Sequence, residues 1–153
     1  MKKVLIIANL LMLTLFISGC GCSKKEESKT VVCSLKQEES KYEINSNITI
    51  KYDEISNDII SFEEDSYLIS DVEEVRNEFK TLNDNHYSTY GKHYSSSIKD
   101  DKVQINININ FNKVSVDEFL ELDEYNYGYL TDDKIDYNKM IEYYEEYEGY
   151  ECN

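Results

Sequence analysis

Residues 103–111 read Val-Gln-Ile-Asn-Ile-Asn-Ile-Asn-Phe, with apolar and polar side chains in strict alternation. Successive side chains of a strand point to opposite faces, so this stretch is a strand with one buried and one wet face. Sheets covered on one side only are characteristically antiparallel. A one-residue slip would turn every apolar side chain outwards, so the register is well specified. The rest of the chain must therefore supply partner strands and a cover for one face.

Partner strands are legible upstream. Val31, Val32, Cys33 and Leu35 mark a first strand over residues 30–36. Residues 42–53 alternate again, with Tyr42, Ile44, Ile48, Ile50 and Tyr52 sharing a face. Asn57-Asp58 is a turn. Residues 59–69 hold Ile60, Phe62, Tyr67 and Ile69 and make a third strand, interrupted by the acidic break Glu63-Glu64-Asp65. Lys99-Asp100-Asp101-Lys102 is a hairpin turn between a strand near 92–98 and the strand at 103–111.

Helices are marked by their caps. Ser70-Asp71-Val72-Glu73 is a capping box, followed by Val72, Val75, Phe79 and Leu82 at helical spacing, and Asn83-Asp84-Asn85 ends that helix. Ser115-Val116-Asp117-Glu118 is a second box, with Val114 and Phe119 as a hydrophobic staple. Asp136 caps a last helix striped by Met140, Tyr143, Tyr144 and Tyr147, and Gly149 is placed as its C-cap. Residues 123–134 are a tyrosine-rich loop.

The N-terminus has a different logic. Met1-Lys2-Lys3 is a positive n-region, and residues 4–17 are apolar but for Asn9 and Thr14. Leu15-Phe16-Ile17-Ser18-Gly19-Cys20 then reads as a lipobox, where an export signal is cut and the new terminal cysteine is lipidated. The apolar run falls short of the roughly 20 residues that a membrane span needs. The expected organisation is a signal peptide at 1–19, a lipidated flexible tether at 20–29, and one domain at 30–153. More than one acyl chain on Cys20 would hold the protein stably on the membrane, facing out of the cytoplasm.

The formal net charge is −15, and removal of Lys2 and Lys3 makes it two charges more negative. Such a surface repels nucleic acid and anionic headgroups. Three cysteines besides Cys20 lie in a compartment that permits disulfides. Cys33 opens the folded region and Cys152 ends it, so a bond between them would staple both ends of the domain. The rival pairing, Cys22 with Cys33, would close only a short flexible loop. No Cys-x-x-Cys pair is present to suggest zinc or thiol redox chemistry.

No motif of a hydrolase, metalloprotease or phosphate-binding loop occurs, and no catalytic residue is nominated. His86 and His93 lack further ligands that would make them a metal pair. Residues 123–134 place Asp123 and Gly128 as in an EF-hand loop, but Tyr125, Tyr127 and Lys134 stand where acids are needed. The candidate binding residues are Tyr125, Tyr127 and Tyr129, whose rings would offer large amphipathic contacts to a protein or glycan partner. The alternative is loose binding of divalent cations by the acidic turns Glu63-Glu64-Asp65 and Asp132-Asp133 with Asp136.

Several of these features resemble the YehR-like family of small bacterial lipoproteins, whose function is unknown. They are the lipobox ending at Cys20, the short Lys/Glu/Ser tether, the strand around Val32-Cys33, and the alternating strand running into Asn112-Lys113-Val114. The closing pattern Met140-Ile141-Glu142-Tyr143-Tyr144-Glu145, then Gly149-Tyr150-Glu151-Cys152, is also similar. The resemblance implies a small α+β domain, supports the Cys33–Cys152 staple, and implies no known activity. This chain is more acidic and richer in tyrosine than the family.

The sequence thus predicts an α+β fold, with an antiparallel sheet of about five strands and two to three helices packed on one face, after a lipoprotein signal peptide. Its expected role is that of a monomeric, non-enzymatic, membrane-anchored binding or envelope domain without a cofactor. Replacing Cys20 with Ala should release the protein from the membrane, as followed by fractionation; full retention of that variant would contradict lipid anchoring.

Overall fold

The computed structural model describes residues 28–153. The leader, Cys20, Cys22 and residues 20–27 of the tether lie outside the described residues. Chain order is β1 (Ser28–Glu39), β2 (Tyr42–Asp53), β3 (Ile59–Ile69), α1 (Glu73–His86), β4 (Tyr94–Lys99), β5 (Lys102–Asn110), α2 (Val116–Leu120), β6 (Leu130–Thr131), β7 (Lys134–Ile135), α3 (Tyr137–Glu146) and β8 (Glu151–Cys152). Short 3-10 helices at Ser88–His93 and Glu124–Tyr129 lead into β4 and β6. The main sheet has six strands in the order β4-β5-β3-β2-β1-β8, every pair antiparallel. The strand beyond the expected five is the two-residue β8, and β6 with β7 forms a separate small ribbon.

The alternating segment is β5, and Val103, Ile105, Ile107 and Ile109 are all buried. It lies between β3 and β4, so its apolar face is held by backbone ladders on both sides. β1 begins at Ser28, so Ser28 and Lys29 belong to the sheet rather than to the tether. The turns use Asn57, Asp100, Asp132 and Asp133 at positive φ, a conformation that Asn and Asp tolerate better than most residues. Asp132-Asp133 is thereby the two-residue turn of the β6–β7 ribbon.

Two helix starts follow the expected chemistry. Ser115 Oγ accepts from the Glu118 amide at 3.1 Å, and Asp136 Oδ1 accepts from the Asn138 and Lys139 amides at 2.8 and 3.3 Å. The box at Ser70 does not form. Ser70 Oγ accepts from the Val72 amide at 3.1 Å and donates to the Lys41 carbonyl at 2.6 Å. The hydroxyl is thus committed to the β1–β2 turn, and α1 starts only at Glu73, with Val72 as an uncapped first residue. Val72 and Leu82 are exposed, and only Val75 and Phe79 of the expected stripe reach the core. α1 also runs through Asn83-Asp84-Asn85 to His86. Asp84 there accepts from Lys80, Tyr94 and Ser96, and these bonds tie the helix end to β4.

Apolar side chains gather in two clusters on the covered face. The larger joins Cys33, Ile48, Ile50, Phe62, Ile107 and Ile109 to Phe119, Tyr129 and Met140 of the C-terminal cover. The smaller joins Leu68, Val103 and Ile105 to Val75 and Phe79 of α1. Cys33 and Cys152 are opposite each other in the β1–β8 ladder and are disulfide-bonded across 119 residues of sequence. The bond fixes the chain's last strand, and with it the exit of α3, to the edge of the sheet. Closing a loop of that length gives an upper guide of about 4–5 kcal/mol. The Cys33→Ser, Cys152→Ser double variant should therefore lower the urea midpoint substantially, and an unchanged midpoint would show that the cover docks without its staple.

Candidate functional site

β3 carries the feature on which the site is built. Its covered face runs Phe62, Glu64, Ser66, Leu68. The run Glu63-Glu64-Asp65 is therefore no break in the strand. Glu63 and Asp65 point to solvent on one face, and Glu64 points under the helical cover on the other. In the ladders Cys33 opposes Ile48, Ile48 opposes Glu64, Glu64 opposes Ile107, and Ile107 opposes Tyr94. A carboxylate thus occupies the middle of an otherwise apolar row. Ser46 and Ser66 face each other in the next row, and these three polar residues separate the two apolar clusters.

The polar groups are joined in a chain. Ser66 Oγ donates to Glu64 Oε1 at 2.6 Å, Ser46 Oγ lies 2.5 Å from Ser66 Oγ, and Tyr150 Oη donates to Ser46 Oγ at 2.8 Å. A hydroxyl has one hydrogen to give. With the Ser66 proton on Glu64, the Ser46 proton must go to Ser66 and the Tyr150 proton to Ser46. The chain therefore points towards Glu64 and ends on it.

Above this floor lies a cavity of about 390 Å³, near the small end of the ~300–1,000 Å³ typical of ligand sites. Phe62, Glu64 and Ile107 form the floor, and seven tyrosines form much of the wall. Tyr87 and Tyr90 come from the segment after α1, Tyr125 and Tyr129 from the second 3-10 helix, and Tyr143, Tyr144 and Tyr150 from α3 and its exit. Neighbouring rings meet edge to face: Tyr87 with Tyr90, Tyr129 with Tyr143, and Tyr144 with both Tyr143 and Tyr150, at interplanar angles from 74° to 83°. That packing is favourable for aromatic quadrupoles.

The remaining polar wall is acidic. Asp123 caps the 3-10 helix through the Tyr125 amide at 3.0 Å, and its other oxygen lies 3.2 Å from His86 Nε2. Glu148 accepts from Tyr143 Oη at 2.8 Å. Buried Asn126 donates to the Phe119 carbonyl at 2.6 Å and holds the loop closed. Among the described residues, no Lys or Arg lines the cavity.

Burial raises the Glu64 carboxyl above its ordinary value of 4.5. The Ser66 hydrogen bond opposes that rise, Glu148 adds to it, and His86 opposes it. Glu64 retains some accessible surface because it opens onto the cavity. Burial also drives the tyrosines upwards, Tyr150 to about 12 and Tyr144 well beyond its usual range. These buried phenols are therefore neutral at physiological pH, and those of Tyr143 and Tyr150 already donate to Glu148 and Ser46.

The residues nominated from the sequence part company here. Tyr129 is buried in the wall, Tyr125 lines the cavity while 53 % exposed, and Tyr127 is exposed and does not line it. The stretch is a 3-10 helix, so its alternate residues do not share a face. His86 pairs with Asp123, whereas His93 Nδ1 lies 3.0 Å from the Asn108 carbonyl, so the two histidines serve separate contacts. Among the described residues, no group of three or more His, Cys, Asp or Glu could hold a metal ion. The structure separates the acidic turns: Glu63 and Asp65 face away from Glu64 across β3, and Asp136 caps α3.

Glu64 was the residue hidden by its acidic neighbours. Counting in steps of two from Phe62 reaches Glu64, Ser66 and Leu68, and that phase places it inside. Because the folded protein binds this proton more tightly than the unfolded chain, Glu64 adds stability below its ordinary value, and the contribution is lost as pH rises through the raised one. Glu64→Gln keeps the shape without the charge. It should match the parent near pH 4 and exceed it at pH 8 by about 1–3 kcal/mol, the usual desolvation penalty of a buried polar group, in paired denaturant titrations. Equal stability at both values would contradict a buried, ionisable carboxyl.

No protein-family model matches the chain, and no curated protein matches it. Among solved structures, it is similar to the NMR structure of the YehR protein of Escherichia coli at 16% identity. That match covers 82% of this chain and 92% of the other, with a TM-score of 0.50. A second match is the NMR structure of a protein from Streptococcus pneumoniae TIGR4, at 10% identity over 64% of this chain and 68% of that one, with a TM-score of 0.36. The chain has a YehR-like α+β fold.

Proposed function

We propose that this protein is a lipid-anchored domain, held by Cys20 outside the cytoplasm, that binds a small molecule in its tyrosine-walled cavity without transforming it. The observation that carries this reading is the carboxyl of Glu64 at the middle of the sheet, opening into the cavity instead of being packed over. A carboxylate in an apolar row weakens the fold, and such weakening is commonly retained where binding uses it.

Several features favour binding over catalysis. Among the described residues, no Ser, Cys or Lys lines the cavity to act as a nucleophile. Its phenols hold their protons, and Asp123 and Glu148 are committed to neighbouring groups. Among the described residues, no helix is long and apolar enough to cross a membrane. Tyr125, Tyr127 and Tyr147 stand 53 to 75 % exposed and offer rings to a protein or glycan partner.

Amide shifts in NMR spectra, recorded with pools of cationic, neutral and anionic small metabolites, test the reading. Saturable shifts that include Glu64, Tyr90 and Tyr144 together are expected from at least one pool. Saturable shifts confined to Tyr127 and Tyr147 would move the site to the outer surface, and no shift from any pool would remove the small-molecule reading.

A further inference from the structure

We propose that the ligand of this cavity is a small organic cation, an alkylammonium group, held by Glu64 as counter-ion and by the tyrosine rings as an aromatic cage. The proposal rests on the cavity being a ligand site and assigns its chemistry.

Charge is the first argument. A buried carboxylate is ordinarily paired with a cation. Among the described residues, Glu64 forms no ion pair with Lys, Arg or His, and its hydrogen bond comes from the Ser66 hydroxyl. Asp123 and Glu148 add negative charge to the same wall, and His86 is already taken by Asp123. An anionic ligand would meet three carboxylates. A neutral ligand would leave Glu64 to hold its proton, whereas a cation would stabilise the ionised carboxylate.

The walls are the second argument. Ring faces carry the negative lobe of the aromatic quadrupole, and a cation placed over one is attracted to it. Tyr129, Tyr143, Tyr144 and Tyr150 all line the cavity, and their near-right-angled packing gives neighbouring rings different orientations around it. Calcium would need six to eight oxygen ligands, which an aromatic wall does not supply. An alkylammonium ion needs one counter-charge and apolar contact for its carbons. The volume of about 390 Å³ suits a small ligand of this kind. A protein of net charge −15 also raises the local concentration of cations.

Calorimetric titration of the full-length protein in a maltoside detergent tests the assignment with choline and its uncharged isostere 3,3-dimethyl-1-butanol. Choline should bind at least about tenfold more tightly, the difference expected of a desolvated cation–aromatic and ion-pair site. Glu64→Gln should weaken choline by a similar factor and leave the alcohol unchanged. Nα-acetyl-lysine methylamide stands for a cation carried on a peptide; tighter binding of it than of choline would assign the cation to a protein side chain. Equal affinity for choline and the alcohol would overturn the cation assignment and leave the cavity reading standing. Failure of all three probes, where neutral or anionic metabolites shift the cavity amides, would also overturn it. Silence from every class would remove both readings. The comparison of charged and uncharged probes on the parent protein needs no variant to fold.

Discussion

The carboxyl of Glu64 sets the organisation of this protein. It stands on the central strands of a six-stranded sheet, flanked by Ile48 and Ile107 across the ladders. No helix can seal over a charged group as it seals over isoleucine, because desolvating an ionised carboxylate costs several kcal/mol. The cover accordingly divides. α1 lies on the cluster around Leu68 and Ile105, and α2 and α3 lie on the cluster around Ile50 and Ile109. Ser46, Ser66 and Tyr150 span the seam between them with a line of hydrogen bonds ending on the carboxyl.

Tyrosine suits such a seam. Its ring packs on apolar neighbours while its hydroxyl meets the polar ones, so the same residue closes the core and lines a wet cavity. Tyr144 packs edge to face against Tyr143 and Tyr150, and Tyr143 reaches Glu148 through its hydroxyl. The Cys33–Cys152 bond holds this C-terminal wall to β1, where Cys33 is itself the ladder partner of Ile48. The disulfide thereby supports the site as well as the fold.

Most of the frame was legible in the sequence because its signals were local. The alternation of β5, the alternation of β2, and the caps at Ser115 and Asp136 each follow from a few neighbouring residues. The readings that failed depended on distant groups. Ser70 has the spacing of a capping residue, but its hydroxyl is drawn to the Lys41 carbonyl on another turn. Val72 and Leu82 have the period of a buried stripe, but α1 sets only Val75 and Phe79 against the cluster of Leu68, Val103 and Ile105. Glu64 reads as one of three surface acids until the strand's phase is counted through it. The tyrosines at 125, 127 and 129 look like one face only if the segment is extended, and it is a 3-10 helix.

The carboxyl of Glu64 is also the group to measure. Its carbon resonance, followed by NMR through a pH titration of the ligand-free protein, reports its environment directly. A midpoint clearly above the ordinary 4.5 would place an ionisable group in the seam, as the structure requires. A midpoint at or below that value would mean that burial does not dominate the carboxyl's environment, and would contradict the account of Glu64 as a desolvated group in the seam.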